Sequence, residues 1–282
     1  MAYCVARTLD EALAARAAGP VTVVAGATDV YPAHGEGRLA GNILDISRVD
    51  TLRTITQSEA GWRIGAAVTW RDVLAAPLPP AFDGLKAAAR EVGAVQIQAR
   101  GTVAGNLVTA SPAGDGIPCL LTLDAAVELC CERGCRTLPV SQFLTGVRRT
   151  ALAPDELVTA ILIPTLPTDA RGAFLKLGAR HSLVISIAMV SAVLTLDEAG
   201  RVVGARVAVG ACSPVATRLP ALEAALLGRH VGDAAAAVDP AHLAPLAPIS
   251  DVRATADYRR EAAAELTRRA LARCAPPIAA AA

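Results

Sequence analysis

A chain of 282 residues is long enough for two domains, or three small ones. Its 53% apolar content supports a sizeable buried core and excludes a disordered chain, while 27 basic against 26 acidic residues exclude a protein held to nucleic acid by phosphate contacts. Three Phe, three Tyr and two Trp are too few rings for a single-strand stacking platform.

The N-terminal stretch carries charges at Arg7, Asp10, Glu11 and Arg16, and so lacks the apolar core of a signal peptide. Thr8 and Glu11 have the spacing of a capping box, Leu9, Leu13 and Ala17 form one apolar face, and Gly19-Pro20 closes this first helix. Val21–Val24 is a β-branched run expected as a buried strand, followed by the small-residue turn Ala25-Gly-Ala-Thr-Asp29 and a second strand over Asn42–Ile46. Gly61–Gly65 has the composition of a strand, Thr69–Ala75 of a capped helix and Leu85–Val92 of another helix. Gln96–Ser111 is dense in Gly, Thr and Asn with little helical period, which predicts loop and strand edge. Asp115–Pro118 is expected as a turn, and Ala125–Cys131 alternates as a strand.

A new block begins near Arg171, with strand-like runs over Phe174–Leu177, Val184–Leu196 and Arg201–Val209. The uncharged stretch Ser182–Leu196 has 15 residues, short of a membrane span, and its Val, Ile and Ser content predicts a buried strand. Ala221–Leu227 is a short helix. Thr255–Cys274 is a long amphipathic one with Tyr258, Ala262, Leu266 and Ala270 on one face, and Arg259, Arg260, Arg268, Arg269 and Arg273 on a solvated face. Strands followed by helices favour an α+β fold over a doubly wound sheet. The Ala/Pro tail is expected to fray.

Two loops can carry chemistry. Ala25–Asp29 leaves a strand, and its small side chains let backbone N–H groups approach an anion such as a pyrophosphate. Gly101-Thr-Val-Ala-Gly-Asn106 adds Thr and Asn donors beside another close-approach glycine. Neither matches the Rossmann or Walker pattern, and two tight turns would use the same residues. Cys130, Cys131 and Cys135 suggest a metal, but Cys130 and Cys131 are adjacent on a strand and face opposite sides, and a fourth ligand is lacking nearby. His34, His181, His230 and His242 have no ligand spacing, and Ser111 has no His/Asp constellation to activate it. No catalytic side chain and no metal site is therefore expected, and an odd count of seven cysteines points to free, reduced thiols in a cytoplasmic protein.

Eight motifs come in a recognisable order. They are Ala25-Gly-Ala-Thr-Asp29, Gly65-Ala-Ala-Val-Thr69, Gln96-x-x-x-Arg-Gly-Thr-Val-Ala-Gly-Asn106, Ala110-Ser-Pro-Ala-Gly-Asp115, Leu123-Asp-Ala-x-Val-Glu128, Pro154-Asp-Glu-Leu157, Lys176-x-x-x-Arg180 and Asp251-x-Arg-Ala…Tyr258-Arg259. Together they resemble the FAD-binding medium subunit of the molybdenum hydroxylases, the xanthine dehydrogenase and carbon monoxide dehydrogenase family. The resemblance covers nearly the whole chain. It implies a two-lobed FAD-binding domain of the vanillyl-alcohol-oxidase type over 1–168 (lobes about 1–52 and 53–168), a smaller C-terminal sheet-and-helix domain over 171–274, and a tail over 275–282.

By position, the resemblance puts the FAD pyrophosphate on the first loop, comprising Val23, Val24, Ala25, Gly26, Ala27, Thr28, Asp29 and Val30. The second loop, Thr102, Val103, Ala104, Gly105 and Asn106, closes the other side. Asp115 is implied at the adenosine ribose, Val158 near the flavin, and Lys176 as a residue reaching the cofactor, while Ser111 reads as a turn or cofactor-contact residue. Ala27 and Ala104 each replace a commoner glycine, and a Cβ at a position needing positive φ costs about 1–2 kcal/mol. Gln98-Ala99 replaces a frequent Arg-Asn pair. The activity implied is electron transfer, in which FAD takes electrons from the [2Fe-2S] clusters of a small partner subunit and passes them to an external acceptor. A large molybdenum subunit would hydroxylate the substrate, in a dimer of heterotrimers without nucleic acid or a membrane span. The alternatives are a stand-alone flavoenzyme of the same fold and a flavin-free structural subunit.

Overall fold

The computed structural model describes residues 2–35, 37 and 41–276. In chain order the elements are β1 (Tyr3–Val5), α1 (Leu9–Ala17), β2 (Val21–Val24), α2 (Val30–His34), β3 (Asn42–Asp45), β4 (Ile55–Ser58), β5 (Gly61–Gly65), α3 (Trp70–Ala75), α4 (Asp83–Glu91), α5 (Val95–Gln98), α6 (Val103–Thr109) and α7 (Gly116–Thr122). They continue with β6 (Ala126–Cys131), β7 (Gly134–Pro139), α8 (Val140–Phe143), β8 (Leu144–Gly146), β9 (Arg149–Thr150), β10 (Leu157–Pro164), β11 (Arg171–Leu177), β12 (Ala188–Leu196), β13 (Val202–Gly210), β14 (Thr217–Arg218), α9 (Pro220–Leu226) and α10 (Ala256–Arg273). Among the described residues, no helix is long and apolar enough to cross a membrane. The contacts divide the chain into two compact units. One takes the chain up to Ala76 with Ala89–Gly116 and Asp124–Thr165, and the other takes Pro77–Ala88, Ile117–Leu123 and the chain from Leu166 onward.

The first unit holds a small parallel sheet and a larger antiparallel one. β1 and β2 both run parallel to β3, in the order β1-β3-β2, as a strand–helix–strand path requires. Thr8 caps α1 by accepting from the Glu11 amide, but the Glu11 carboxylate returns to the Arg7 amide rather than closing a box on Thr8. The inner faces of α1 and β3 meet in a core of Ala12, Leu13, Leu44, Ile46, Leu52 and Leu157. Leu44 and Leu52 are fully enclosed there, each contributing about 1.5–3 kcal/mol by leaving water. β2 is a sheet edge, so it is only half-buried up to Val24, in contrast to the fully buried strand expected. The second sheet has the order β4-β5-β10-β6-β7, entirely antiparallel.

The structure corrects two further local expectations in this region. The segment Gln96–Ser111 is not loop and strand edge but carries α5 and α6, because Thr102 caps the latter and Val103, Ala104 and Leu107 give it a buried face despite Gly105 and Asn106. Asp115–Pro118 does not stop as a turn, since the chain enters α7 at Gly116 and Pro118 lies in the first turn, where no backbone donor is needed. The cysteines also depart from the reduced state: Cys130 on β6 and Cys135 on β7 are cross-strand partners joined in a disulfide. Cys131 faces the other way, as adjacent strand residues must, and is a free thiol.

The second unit is an antiparallel sheet in the order β11-β12-β13-β14, with α10 and α9 packed on it. Every residue of β12 is buried. That strand begins at Ala188, four residues after the expected start at Val184, and Leu183 and Ile185 stand exposed. Helix α10 turns Ala262, Leu266 and Ala270 of its expected face to the core, Ala262 only half-buried, and departs from that face at Tyr258. Tyr258 is exposed, while Ala263, Leu266, Ala270 and Leu271 enter the core. Arg259 is not on a solvated face: it is 3% exposed, pairs with Asp251 at 2.7 Å and donates to the carbonyls of Ile187 and Ala211. A buried guanidinium is tolerable only with such partners. The tail from 277 onward lies outside the described residues.

Candidate functional site

The first loop begins where β2 ends. The Ile46 amide donates to the Val24 carbonyl at 2.9 Å, completing the last rung of the parallel pair, and the chain then turns through Ala25–Asp29. Ala27 takes a left-handed conformation with φ 56°, while Ala104 sits inside right-handed α6. Of the two glycine replacements, only Ala27 therefore carries backbone strain, about 1–2 kcal/mol. Among the described residues, the amides of Gly26, Ala27, Thr28 and Asp29 have no acceptor within the chain. Such a run of partly exposed amides is a nest suited to an anion.

The second loop is held against the first by backbone. A Cβ on Gly26 would collide with the Arg100 carbonyl, and Thr28 Oγ1 lies against Gly101. The Trp70 amide donates to the Gly101 carbonyl at 3.1 Å, and the Val103 amide to the Val68 carbonyl at 3.1 Å. The Thr102 side chain is nearly buried and accepts from the Gly105 amide at 3.0 Å. Asn106 Oδ1 accepts from the Gly116 amide at 3.3 Å, and a Cβ on Gly116 would strike the Trp70 ring. One of the chain's few aromatics thus serves as the wedge under the loop, so glycine is required at both close approaches.

Six of the sequence-derived candidates line a single cavity of about 110 Å³: Val23, Ala25, Thr102, Ala104, Gly105 and Val158. Val158 reaches it from β10, next to a bulge between Val158 and Ala160. A bulge of this kind re-aims neighbouring side chains. The extra residue, Thr159, donates to Glu128 Oε1 at 2.6 Å, and Arg63 meets the same carboxylate at 2.8 Å. Burial of Glu128 alone would raise its pKa, but the hydrogen bonds from Thr159 and Arg63 outweigh burial and hold it below its ordinary value.

The other candidates have different surroundings. Val24 and Val30 pack with Ile43 and Ala27 in a small apolar cluster behind the loop. Asp29 accepts from Thr109 at 3.4 Å and Arg148 at 3.3 Å, tying the loop to the end of α6. Val103 is fully buried, Ser111 Oγ accepts from the Ala113 amide at 3.3 Å, and Asp115 is buried. Lys176 is on β11 of the second unit, opposite Met189. Four further cavity residues were not among the cofactor candidates: Ile46 of the expected second strand, Val108, Leu152, and Leu157 of the Pro154–Leu157 motif. Ala66, which also lines it, belongs to the Gly65–Thr69 motif; for Leu152 no sequence signal exists.

The residues present fit a dinucleotide cofactor. Free amides on one loop, a second loop pressed against it by glycines and an apolar cavity between Ala25, Ala104 and Val158 supply anion contacts and a surface for a flat ring. Among the described residues, those lining this cavity are apolar apart from the Thr102 hydroxyl and backbone groups, an arrangement suited to binding and orienting a cofactor.

Comparison with known proteins agrees with this geometry. Residues 1–166 match the family model described as the FAD binding domain in molybdopterin dehydrogenase, and residues 173–274 match the CO dehydrogenase flavoprotein C-terminal domain. The nicotine 6-hydroxylase medium subunit of Paenarthrobacter nicotinovorans is 31% identical over 81% of this chain and 80% of its own. The nicotinate dehydrogenase FAD-subunit of Eubacterium barkeri is 35% identical over 64% of this chain, which spans 63% of that relative's length. Among solved structures, the carbon monoxide dehydrogenase of Hydrogenophaga pseudoflava superposes with a TM-score of 0.86 at 27% identity, over 96% of both chains.

Proposed function

Because the chain belongs to the family of FAD-binding subunits of the molybdenum hydroxylases, we propose that it is the electron-transfer subunit of such a complex. The observation that carries this reading is the pair of small-residue loops in backbone contact, with unpaired amides on Gly26–Asp29 and Val158 in the adjoining cavity. When bound, FAD supplies the redox chemistry, accepting electrons from [2Fe-2S] clusters on a partner and releasing them to an external acceptor.

The chain's own residues bind and orient. The amides of Ala25–Asp29 and of Ala104 would hold the pyrophosphate, Thr102 and Asn106 would fix the second loop, and Ser111 and Asp115 would meet the adenosine end. Val23 and Val158 would flank the ring and exclude water, and Lys176 would be a further cofactor contact. In this reading the FAD-binding domain spans 1–168 in two lobes of the vanillyl-alcohol-oxidase type, and the C-terminal domain spans 171–274. A small iron–sulfur subunit and a large molybdenum subunit complete a dimer of heterotrimers in the cytoplasm. Co-purification of the tagged chain from its native host tests this: a heterotrimer carrying iron and molybdenum is expected, and a fully active single chain would refute it.

A further inference from the structure

A second concavity of the first unit, of about 240 Å³, has three arginines in its wall, Arg48, Arg53 and Arg100, beside the hydroxyls of Ser47, Thr69 and Thr102. Among the described residues none of the three guanidiniums forms an ion pair or a side-chain hydrogen bond. Arg48 feels Asp45 only at longer range, and that carboxylate is already engaged by Tyr3 and Ser47. Elsewhere in the same unit the pattern is the opposite: Arg63 meets Glu128 at 2.8 Å and Arg136 meets Glu156 at 2.6 Å. In a chain of net charge +1, three guanidiniums without an ion-pair partner around one concavity form a local surplus, although Asp72 is bonded to the wall residue Thr69. It borders the cofactor cavity, because Ala25 and Thr102 line both.

We propose that this arginine-lined cavity receives an acidic segment of the iron–sulfur partner subunit, a placement that rests on the electron-transfer reading above. All three arginines are exposed, so they stand at a rim rather than enclosing a small ligand. Exposed guanidiniums are suited to carboxylates presented by another surface, since the planar fork pairs with them bidentately and arginine is enriched at protein interfaces. The shared wall puts a partner seated there one layer of side chains from the cofactor cavity, where electrons must arrive. A local surplus of one sign also steers an acidic partner to the correct face.

The test uses the full chain co-expressed with its small and large partner subunits, comparing wild type with the double variant Arg48→Glu/Arg53→Glu. FAD per chain is read from the flavin absorbance, and affinity for the small subunit from titration at low and high salt. The variant is expected to keep the wild-type flavin content while losing roughly tenfold or more in partner affinity. The wild-type affinity should fall with added salt and the variant's should not. Partner affinity within about twofold of wild type overturns the proposal, and so does loss of FAD with partner binding intact, which would give the cavity to an anionic group of the cofactor. A wild-type chain that takes up FAD but never binds an iron–sulfur subunit refutes the partner reading and the docking site with it. A wild-type chain that binds the partner without FAD refutes the cofactor reading alone.

Discussion

Ala27 and Ala104 offer a test in which one chemical change is expected to act in opposite directions. Both replace a glycine that the family resemblance implies, but Ala27 has φ 56° and Ala104 lies in right-handed α6 with its methyl buried. Ala27→Gly relieves about 1–2 kcal/mol of left-handed strain and gives back about 0.4–1 kcal/mol through the freer unfolded chain. The net gain is about 0.5–1 kcal/mol. Ala104→Gly relieves nothing. It costs about 0.5–1 kcal/mol of helical backbone entropy and about 0.8 kcal/mol for the lost buried methyl. The two variants should therefore differ by about 2 kcal/mol, or about 3–4 °C in Tm for a chain of this size. Scanning calorimetry of the flavin-free chain measures it, with Ala27→Gly above wild type and Ala104→Gly below. If Ala27→Gly melts below wild type, or both variants shift the same way, the argument from backbone conformation is wrong.

Other outcomes follow from the same contacts. Gly26→Ala forces a methyl into the Arg100 carbonyl, so it should cost about 2 kcal/mol or more and strip the flavin, read by Tm and by flavin absorbance. Glu128 has its folded pKa lowered by hydrogen bonds from Thr159 and Arg63 that outweigh burial, so the stability it contributes is complete above its ordinary pKa of 4.5 and is lost as pH falls below that value. A Tm series from pH 6 to 3 should show this loss, and Glu128→Gln should flatten it. Burial pushes the Cys212 thiol up to about 11 and the Cys274 thiol up to about 12, so in the native chain alkylation at mildly alkaline pH should mark exposed Cys4 and leave these two unmarked. In the unfolded chain five thiols should react before reduction, and seven after it, because Cys130 and Cys135 are joined. Mass spectrometry counts the adducts.

Much of this architecture was legible from local chemistry. Thr8, Thr69, Thr102 and Thr255 each cap a helix, and at Thr8, Thr69 and Thr255 the capping residue marked the start in the sequence. The start of α6 was hidden because Gly105 and Asn106 favour turns, and only tertiary burial of Val103 and Leu107 makes the segment helical. Periodicity showed the inward stripe of α10 through Ala262, Leu266 and Ala270 but not that Tyr258 stays exposed and Arg259 is buried. Arg259 is buried by its pairing with Asp251, eight residues away in an irregular segment. The Cys130–Cys135 bridge depended on the register of β6 against β7, which cysteine counting cannot supply. At the candidate site, the glycines and small residues of both loops were visible as a pattern. The arginine-lined cavity was not, because Arg48, Arg53 and Arg100 come together only when β3, the start of β4 and the segment after α5 are folded.

The central claim is that the two loops of the first unit hold FAD, and the flavin content of the purified chain tests it most directly. After incubation with excess FAD and removal of the free cofactor, the account predicts one flavin per chain, with absorption bands at about 370 and about 450 nm. A correctly folded chain that retains no flavin after this reconstitution would contradict it.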